Sequence, residues 1–259
     1  MDFTDFKNVL AGEFPGVAPE QLSRFEAMDG LYREWNSKIN VISRKDIDNI
    51  YEHHVLHSLG IALYLKYRRP EVFSAWGGEP LLGGTDSCGG IGSCGGTVSC
   101  GGADAPDSGA VSCASGCVVS ALDLGCGGGF PGIPLAVLFP QVSFTLCDSI
   151  GKKITVAGEV AAALGLGNVV TVNARAESLP GPYDYVVSRA VTSLDNFIPW
   201  VRGKYRRDIF YLKGGDLVEE IAVAMGRCRL PKGSVSVWQL SSALRAEFFE
   251  GKMVIDIKR

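Results

Sequence analysis

Two hydrophobic periods run along this chain, and the change from one to the other divides it. In the N-terminal part, Leu22, Phe25, Met28, Tyr32, Trp35 and Ile39 recur at three- and four-residue steps, which puts one apolar stripe on a helix. Pro19 stands where a first-turn proline belongs. A second helix is predicted from about Lys45 to Tyr67, with Ile47, Ile50, His54, His57 and Ile61 along one face. It closes at the basic cluster before Pro70, as cation-rich helix ends do. From Val118 onward the pattern changes to short apolar runs that read as strands: "CVVSALDLG", "VSFTLCD", "NVVTVNAR", "YDYVVSRA" and "IFYLKGG". Helical segments such as "IPLAVLF" and 149–164 lie between them. Strands alternating with helices predict a parallel sheet covered on both faces. "SVSVWQL" and "KMVIDIKR" close the chain with no helix between them, which predicts an antiparallel hairpin at the sheet edge.

Residues 77–118 follow neither period. "SCGG" occurs at 87–90, 93–96 and 99–102, followed by Gly, Ser, Ala and Asp. So little apolar surface cannot offset the entropy of ordering the backbone, and the segment is expected to be a disordered low-complexity insertion. Five of the eight cysteines fall here, without the CxxC pairs or histidines of a zinc site, so no metal is expected. The expected organisation is a helical cap over 1–76, the insertion over 77–118 and an α/β domain over 119–259.

Composition adds limits. The net charge of −3 argues against indiscriminate binding to nucleic acid but leaves room for a local basic patch. "KYRRP" and "RGKYRR" are the two candidate patches. The N-terminus "MDFTDF" lacks a secretory profile, and no window reaches the roughly 18 apolar residues of a membrane span, so a cytoplasmic location without a membrane partner is expected.

The candidate chemistry centres on "DLGCGGGFPGIP" at 123–134, between the first strand of the α/β part and its helix. In an open α/β sheet, ligands bind beyond the carboxyl ends of the strands. Gly125, Gly127 and Gly129 allow a tight turn and close approach of a ligand. A dinucleotide fold wants G-x-G-x-x-G, and this chain has Phe130 where the last glycine would stand. It offers Asp123 ahead of the glycines instead. A carboxylate there repels a pyrophosphate and suits the cationic amino-acid end of S-adenosylmethionine. Asp148, ending the second strand, can accept from both ribose hydroxyls, and "ARAE" sets Ala176 and Glu177 beside the adenine.

With these pieces assembled, the chain resembles the RsmG (glucose-inhibited division protein B) family of bacterial small-subunit ribosomal RNA methyltransferases. The resemblance runs from about Leu31 to Lys258, apart from the insertion. It rests on "WNSKINVISRKD", "DLGCGGGFPGIPLA", "DSIGKK", "ARAE" and "VVSRAVTSL". It implies a seven-stranded, mostly parallel sheet of the class I (Rossmann-like) methyltransferase type with an N-terminal helical extension. It also implies S-adenosylmethionine as cofactor and methyl transfer to N7 of one guanine in 16S ribosomal RNA, free or in a small-subunit particle. No obligate protein partner is implied. By the family pattern Gly125, Phe130, Ala176, Glu177 and Arg189 contact the methyl donor. His54 matches a histidine the family carries, whereas His57 stands where many members have aspartate.

Guanine N7 carries an in-plane lone pair and no proton, so no general base is required. Arg189, at the end of the fourth strand, is the expected catalytic residue, its fork pairing with the donor's carboxylate or with guanine O6. The alternative for Arg189 is an ion pair with Asp184 at the rim. Lys213 is a candidate for RNA phosphate, and His54 for RNA contact or a polar cluster between cap and sheet. His53 and His57 have helical metal spacing, but His54 stands between them where a zincin has glutamate. Two rivals remain at this stage: a methyltransferase of the same fold acting on a small molecule, and a non-catalytic RNA-binding module.

Overall fold

The computed structural model describes residues 1–79 and 118–259. The insertion expected over 77–118 therefore falls almost wholly outside the described residues. The N-terminal helices are α1 (Phe3–Glu13), α2 (Pro19–Lys38), α3 (His57–Arg68) and α4 (Pro70–Ala75). The α/β part runs β1 (Ser120–Leu124), α5 (Gly132–Leu138), β2 (Ser143–Asp148), α6 (Gly151–Ala163), β3 (Val169–Asn173), β4 (Tyr185–Arg189), α7 (Leu194–Val201), β5 (Asp208–Gly214), α8 (Val218–Cys228), β6 (Val235–Gln239) and β7 (Lys252–Lys258).

The seven strands form one sheet in the order β3-β2-β1-β4-β5-β7-β6. All neighbours are parallel except β7, which is antiparallel to both β5 and β6. The last pair is antiparallel as its sequence predicts, but β7 inserts inward and β6 is the edge. Burial explains the sequence of each strand. The central strands β1, β4 and β5 are covered on both faces and read as nearly continuous apolar runs, whereas the edge strands β3 and β6 are only partly buried.

Two cores flank the sheet. One joins β1, β2, α5 and α6 to the N-terminal helices, and the other lies under α7 and α8. Trp76, fully buried, packs edge-on against Phe139, Phe144 and Tyr185 at 5.3, 5.8 and 5.5 Å between ring centres. Gln21 ties the start of α2 to the end of α5: its amide oxygen accepts from Ala18 N at 2.8 Å, and its amide nitrogen donates to the carbonyls of Val137 and Leu138.

The helix expected over 45–67 is not continuous. A 3₁₀ turn covers Ile47–Asn49 and a wider π turn covers Ile50–Leu56 before α3 begins. A further helix, not expected from the periodicity, is α1, which buries Phe6 and Leu10 and is capped by Asp2, whose carboxylate accepts from Asp5 N at 2.8 Å. Among the described residues no helix is long and apolar enough to cross a membrane.

Candidate active site

The strand order reverses between β1 and β4, and a cavity of about 870 Å³ opens there at the carboxyl ends of β1, β2 and β4. Its floor is Leu124 to Gly128 with Phe130. One wall carries Asp148 and Ile150, another Ala176 and Glu177, and Arg189 with Val191 closes the side of β4.

The glycine turn is crowded mostly by the protein itself. A Cβ on Gly125 would lie 2.4 Å from the Val191 side chain, one on Gly128 would lie 2.9 Å from Val41, and one on Gly129 would lie 2.4 Å from Ile133. Gly127 differs: it has φ +56° and nothing within 4 Å of a built Cβ, so its missing side chain leaves open space on the cavity floor. Val41 is held in place by Asn36, whose amide oxygen accepts from the Val41 and Ile42 nitrogens at 2.8 and 2.9 Å. That gives the "WNSKINV" segment a physical purpose. Tyr32 supports the same turn, donating from its hydroxyl to the Gly128 carbonyl at 2.9 Å and stacking on Phe130 at 4.7 Å.

Asp148 ends β2 as expected. Its two carboxylate oxygens accept from Gly127 N at 2.9 Å and Ile150 N at 2.8 Å. These bonds fix the side chain, and each oxygen keeps a lone pair for a ligand hydroxyl. Ala176 is buried and Glu177 exposed, and both face the cavity. Trp200 of α7 also lines it, a half-buried aromatic surface absent from the sequence reading. So do Val41, Lys153, Arg175 and Val191, which come from loops and helix starts whose approach to the cavity no local periodicity marks.

Arg189 is half-buried and lines the cavity. It does not pair with Asp184, whose carboxylate accepts from Ser120 and faces Arg206. Its guanidinium instead lies over Phe130, 5.2 Å from the ring centre, and donates toward the segment before α3. Burial lowers its pKa to about 10, with the Asp123 charge pulling the other way.

Four expected site residues are placed elsewhere. Asp123 is fully buried beneath the turn and does not line the cavity; its Oδ2 accepts from Gly132 N at 2.7 Å, which holds the start of α5. Gly129 packs against Ile133 and is likewise outside the lining. Lys213 donates to the Thr192 carbonyl and pairs with Glu220, so its charge is satisfied inside the protein instead of waiting for phosphate. His54 has both ring nitrogens engaged, with Asp46 and Arg189. Among the described residues no group of three or more His, Cys, Asp or Glu is placed to hold a metal. His53 bonds Asp46 and stacks on Phe248 at 3.8 Å.

Asp123 carries a pH signature. Burial raises its pKa to about 7, against the opposing hydrogen bond from Gly132 and the charge of Arg189. The native state therefore holds a proton that the unfolded chain has released above about pH 4. Unfolding releases that proton, so this group's contribution to stability falls as pH rises from about 4 to about 7 and is flat beyond. Asp123→Asn keeps an acceptor for Gly132 and removes the titration. Its melting temperature relative to the parent is expected to climb between pH 5 and pH 8, measured by calorimetry; a pH-independent difference would show that Asp123 does not titrate in that window.

A seven-stranded sheet in this order, with an antiparallel seventh strand and a glycine-floored, acid-walled cavity at the switch point, defines a class I methyltransferase fold. The family model described as rRNA small subunit methyltransferase G matches residues 109–246. A protein of Porphyromonas gingivalis is 41% identical over 95% of this chain and 91% of its own length. Others from Bacteroides fragilis and Christiangramia forsetii are 40% and 37% identical, each over 95% of this chain and over 97% and 94% of their own lengths. All three are named ribosomal RNA small subunit methyltransferase G. The chain belongs to this family.

Proposed function

We propose that the protein transfers a methyl group from S-adenosylmethionine to N7 of one guanine of 16S ribosomal RNA. The observation that carries this reading is the cavity: open space over Gly127, the fixed carboxylate of Asp148 beside it, Ala176 and Glu177 beyond, and Arg189 across from them. These groups fit an extended donor with an amino-acid end, a ribose and an adenine. Asp148 would accept from the ribose hydroxyls, Ala176 and Trp200 would give the base an apolar wall, and Glu177 would serve its exocyclic amine. Arg189 would fork onto the donor's carboxylate. When bound, the donor supplies a methyl group already activated by its sulfonium charge.

The residues of this chain then have to position and stabilise. N7 needs no deprotonation, which agrees with a site that presents no free imidazole to the cavity. Holding the attacking atom in line with the methyl carbon contributes up to roughly 7–11 kcal/mol. Positive charge would pass from the sulfonium to the purine on transfer, and Asp148 and Glu177 are the carboxylates that line the cavity, among the cations of Lys153, Arg175 and Arg189. The volume of about 870 Å³ leaves room beside the donor for a base turned out of its stack. With 16S RNA as substrate, free or in a small-subunit particle, the proposed site of reaction is the cytoplasm.

The test is incubation with tritiated S-adenosylmethionine, undermethylated small-subunit particles and a small-metabolite extract in parallel. Label is expected in 16S RNA. Label confined to the metabolite pool would support a small-molecule methyltransferase instead, and failure to bind the donor would support a non-catalytic RNA-binding module.

A further inference from the structure

Arg189 reaches the cavity from β4, but the contacts that fix its fork come from the helical cap. Its Nη1 donates to the His53 carbonyl at 3.2 Å, and its Nη2 lies 3.1 Å from His54 Nδ1. A guanidinium can only donate, so Nδ1 accepts and the ring proton must sit on Nε2. Nε2 in turn lies 2.8 Å from Asp46 Oδ2, and a carboxylate can only accept. The two ends dictate one neutral tautomer of His54. The other oxygen of Asp46 is taken by His53 Nδ1.

The π turn over Ile50–Leu56 presents two consecutive side chains, His53 and His54, to this one carboxylate. His54 also packs on Phe130, 5.2 Å between ring centres, and Phe130 lies under the Arg189 guanidinium. The charged and titratable groups facing His54 are Asp46 from the preceding loop, His53 and His57 on its own helical run, and Arg189 from β4. Burial and the Arg189 charge push its pKa down to about 4, against the pull of Asp46, so the imidazole stays neutral at neutral pH.

We propose that Asp46 and His54 are positioning residues, a relay from the cap that locks the Arg189 fork at the angle from which it engages the methyl donor. This rests on Arg189 contacting the donor, as proposed above. The cap is then part of the donor site, although neither Asp46 nor His54 lines the cavity. It also separates the two functions of an aromatic ring at position 54: support for Phe130, which any ring gives, and acceptance from Arg189, which Nδ1 gives.

The experiment measures donor affinity by calorimetry and single-turnover methylation of small-subunit particles. The variants are His54→Phe, His54→Asn, Arg189→Ala and the double variant His54→Phe/Arg189→Ala. Phenylalanine keeps the packing and removes the acceptor, and asparagine offers an amide oxygen close to where Nδ1 stood. His54→Phe is expected to weaken donor binding about tenfold, the scale of one hydrogen bond to a charged group. His54→Asn is expected to recover part of that loss, leaving donor binding about threefold weaker than the parent, because an acceptor for Arg189 remains while the link from Nε2 to Asp46 is gone. On the Arg189→Ala background, His54→Phe is expected to add less than about twofold, since a residue acting through Arg189 has nothing left to position. Asp46→Ala serves as the second way into the relay should His54→Phe fail to fold; it removes the anchor and keeps the acceptor, so the same roughly threefold loss as in His54→Asn is expected, again absent on the Arg189→Ala background.

Parent-like donor affinity in His54→Phe, or effects of His54→Phe and Arg189→Ala that multiply in full, would overturn the relay while leaving the donor site standing. Unchanged affinity in Arg189→Ala would instead overturn the donor site itself.

Discussion

Replacing Asp148 by alanine is expected to raise the dissociation constant for S-adenosylmethionine on the order of 100-fold or more. The carboxylate accepts from Gly127 N and Ile150 N and presents its remaining lone pairs to the cavity. Each hydrogen bond to a charged group contributes about 1.5–3 kcal/mol, and in the proposed donor site two ribose hydroxyls lose their acceptor together. The substitution also frees two backbone donors around the glycine turn, so a lower melting temperature accompanies the weaker binding. Asp148→Asn separates the effects. It keeps one acceptor oxygen and fills the same space, and a loss smaller than that of alanine is expected. Calorimetric titration with the donor checks both variants. Equal, parent-like affinity in the two would mean that the ribose is held elsewhere.

The second large effect lies in the turn itself, where two glycines with the same backbone handedness should fail in different ways. Gly125 has φ +73°, and its Cβ would meet Val191 at 2.4 Å. Gly125→Ala therefore combines left-handed strain of about 1–2 kcal/mol with a steric collision, and a clear fall in melting temperature is expected. Adding Val191→Ala removes the collision and restores part of the loss. Gly127 has φ +56° and open space around a built Cβ. Gly127→Ala carries only the strain of about 1–2 kcal/mol in stability, but its methyl group projects over the cavity floor. Donor affinity should fall more in Gly127→Ala than its stability loss explains, and stability should fall more in Gly125→Ala. Thermal melts and donor titrations on the same preparations check the crossing pattern; parallel losses in both assays would contradict it.

Most of the α/β frame was readable because its signals are local. Short apolar runs bounded by glycine, and Asp148 at the end of β2, need only periodicity and position to be recognised. β7 shows the limit: its sequence marks a strand, but insertion between β5 and β6 depends on long-range packing. The turn shows a second limit. Its glycines signal close approach, yet the approaching groups at Gly125 and Gly128 are Val191 and Val41 of the same chain.

Asp123 and Lys213 mark a third limit. Charge at a strand end suggests a ligand, but whether the side chain faces the cavity or a neighbouring backbone group is decided by tertiary structure, and here Gly132 and Glu220 take them. His54 was visible as a polar residue on an apolar face. Its pairing with Asp46 was not, because the π turn that brings both histidines to one carboxylate has no pattern in the sequence.

The most direct test of the assignment is the fate of the methyl group. Undermethylated small-subunit particles are treated with the protein and S-adenosylmethionine; the 16S RNA is extracted, reduced with borohydride and cleaved with aniline, which breaks the strand at 7-methylguanosine. One new cleavage site, dependent on enzyme and donor and missing with Arg189→Ala, is the predicted result. Methylated RNA that resists cleavage, or no methyl group in the RNA at all, would contradict transfer to guanine N7.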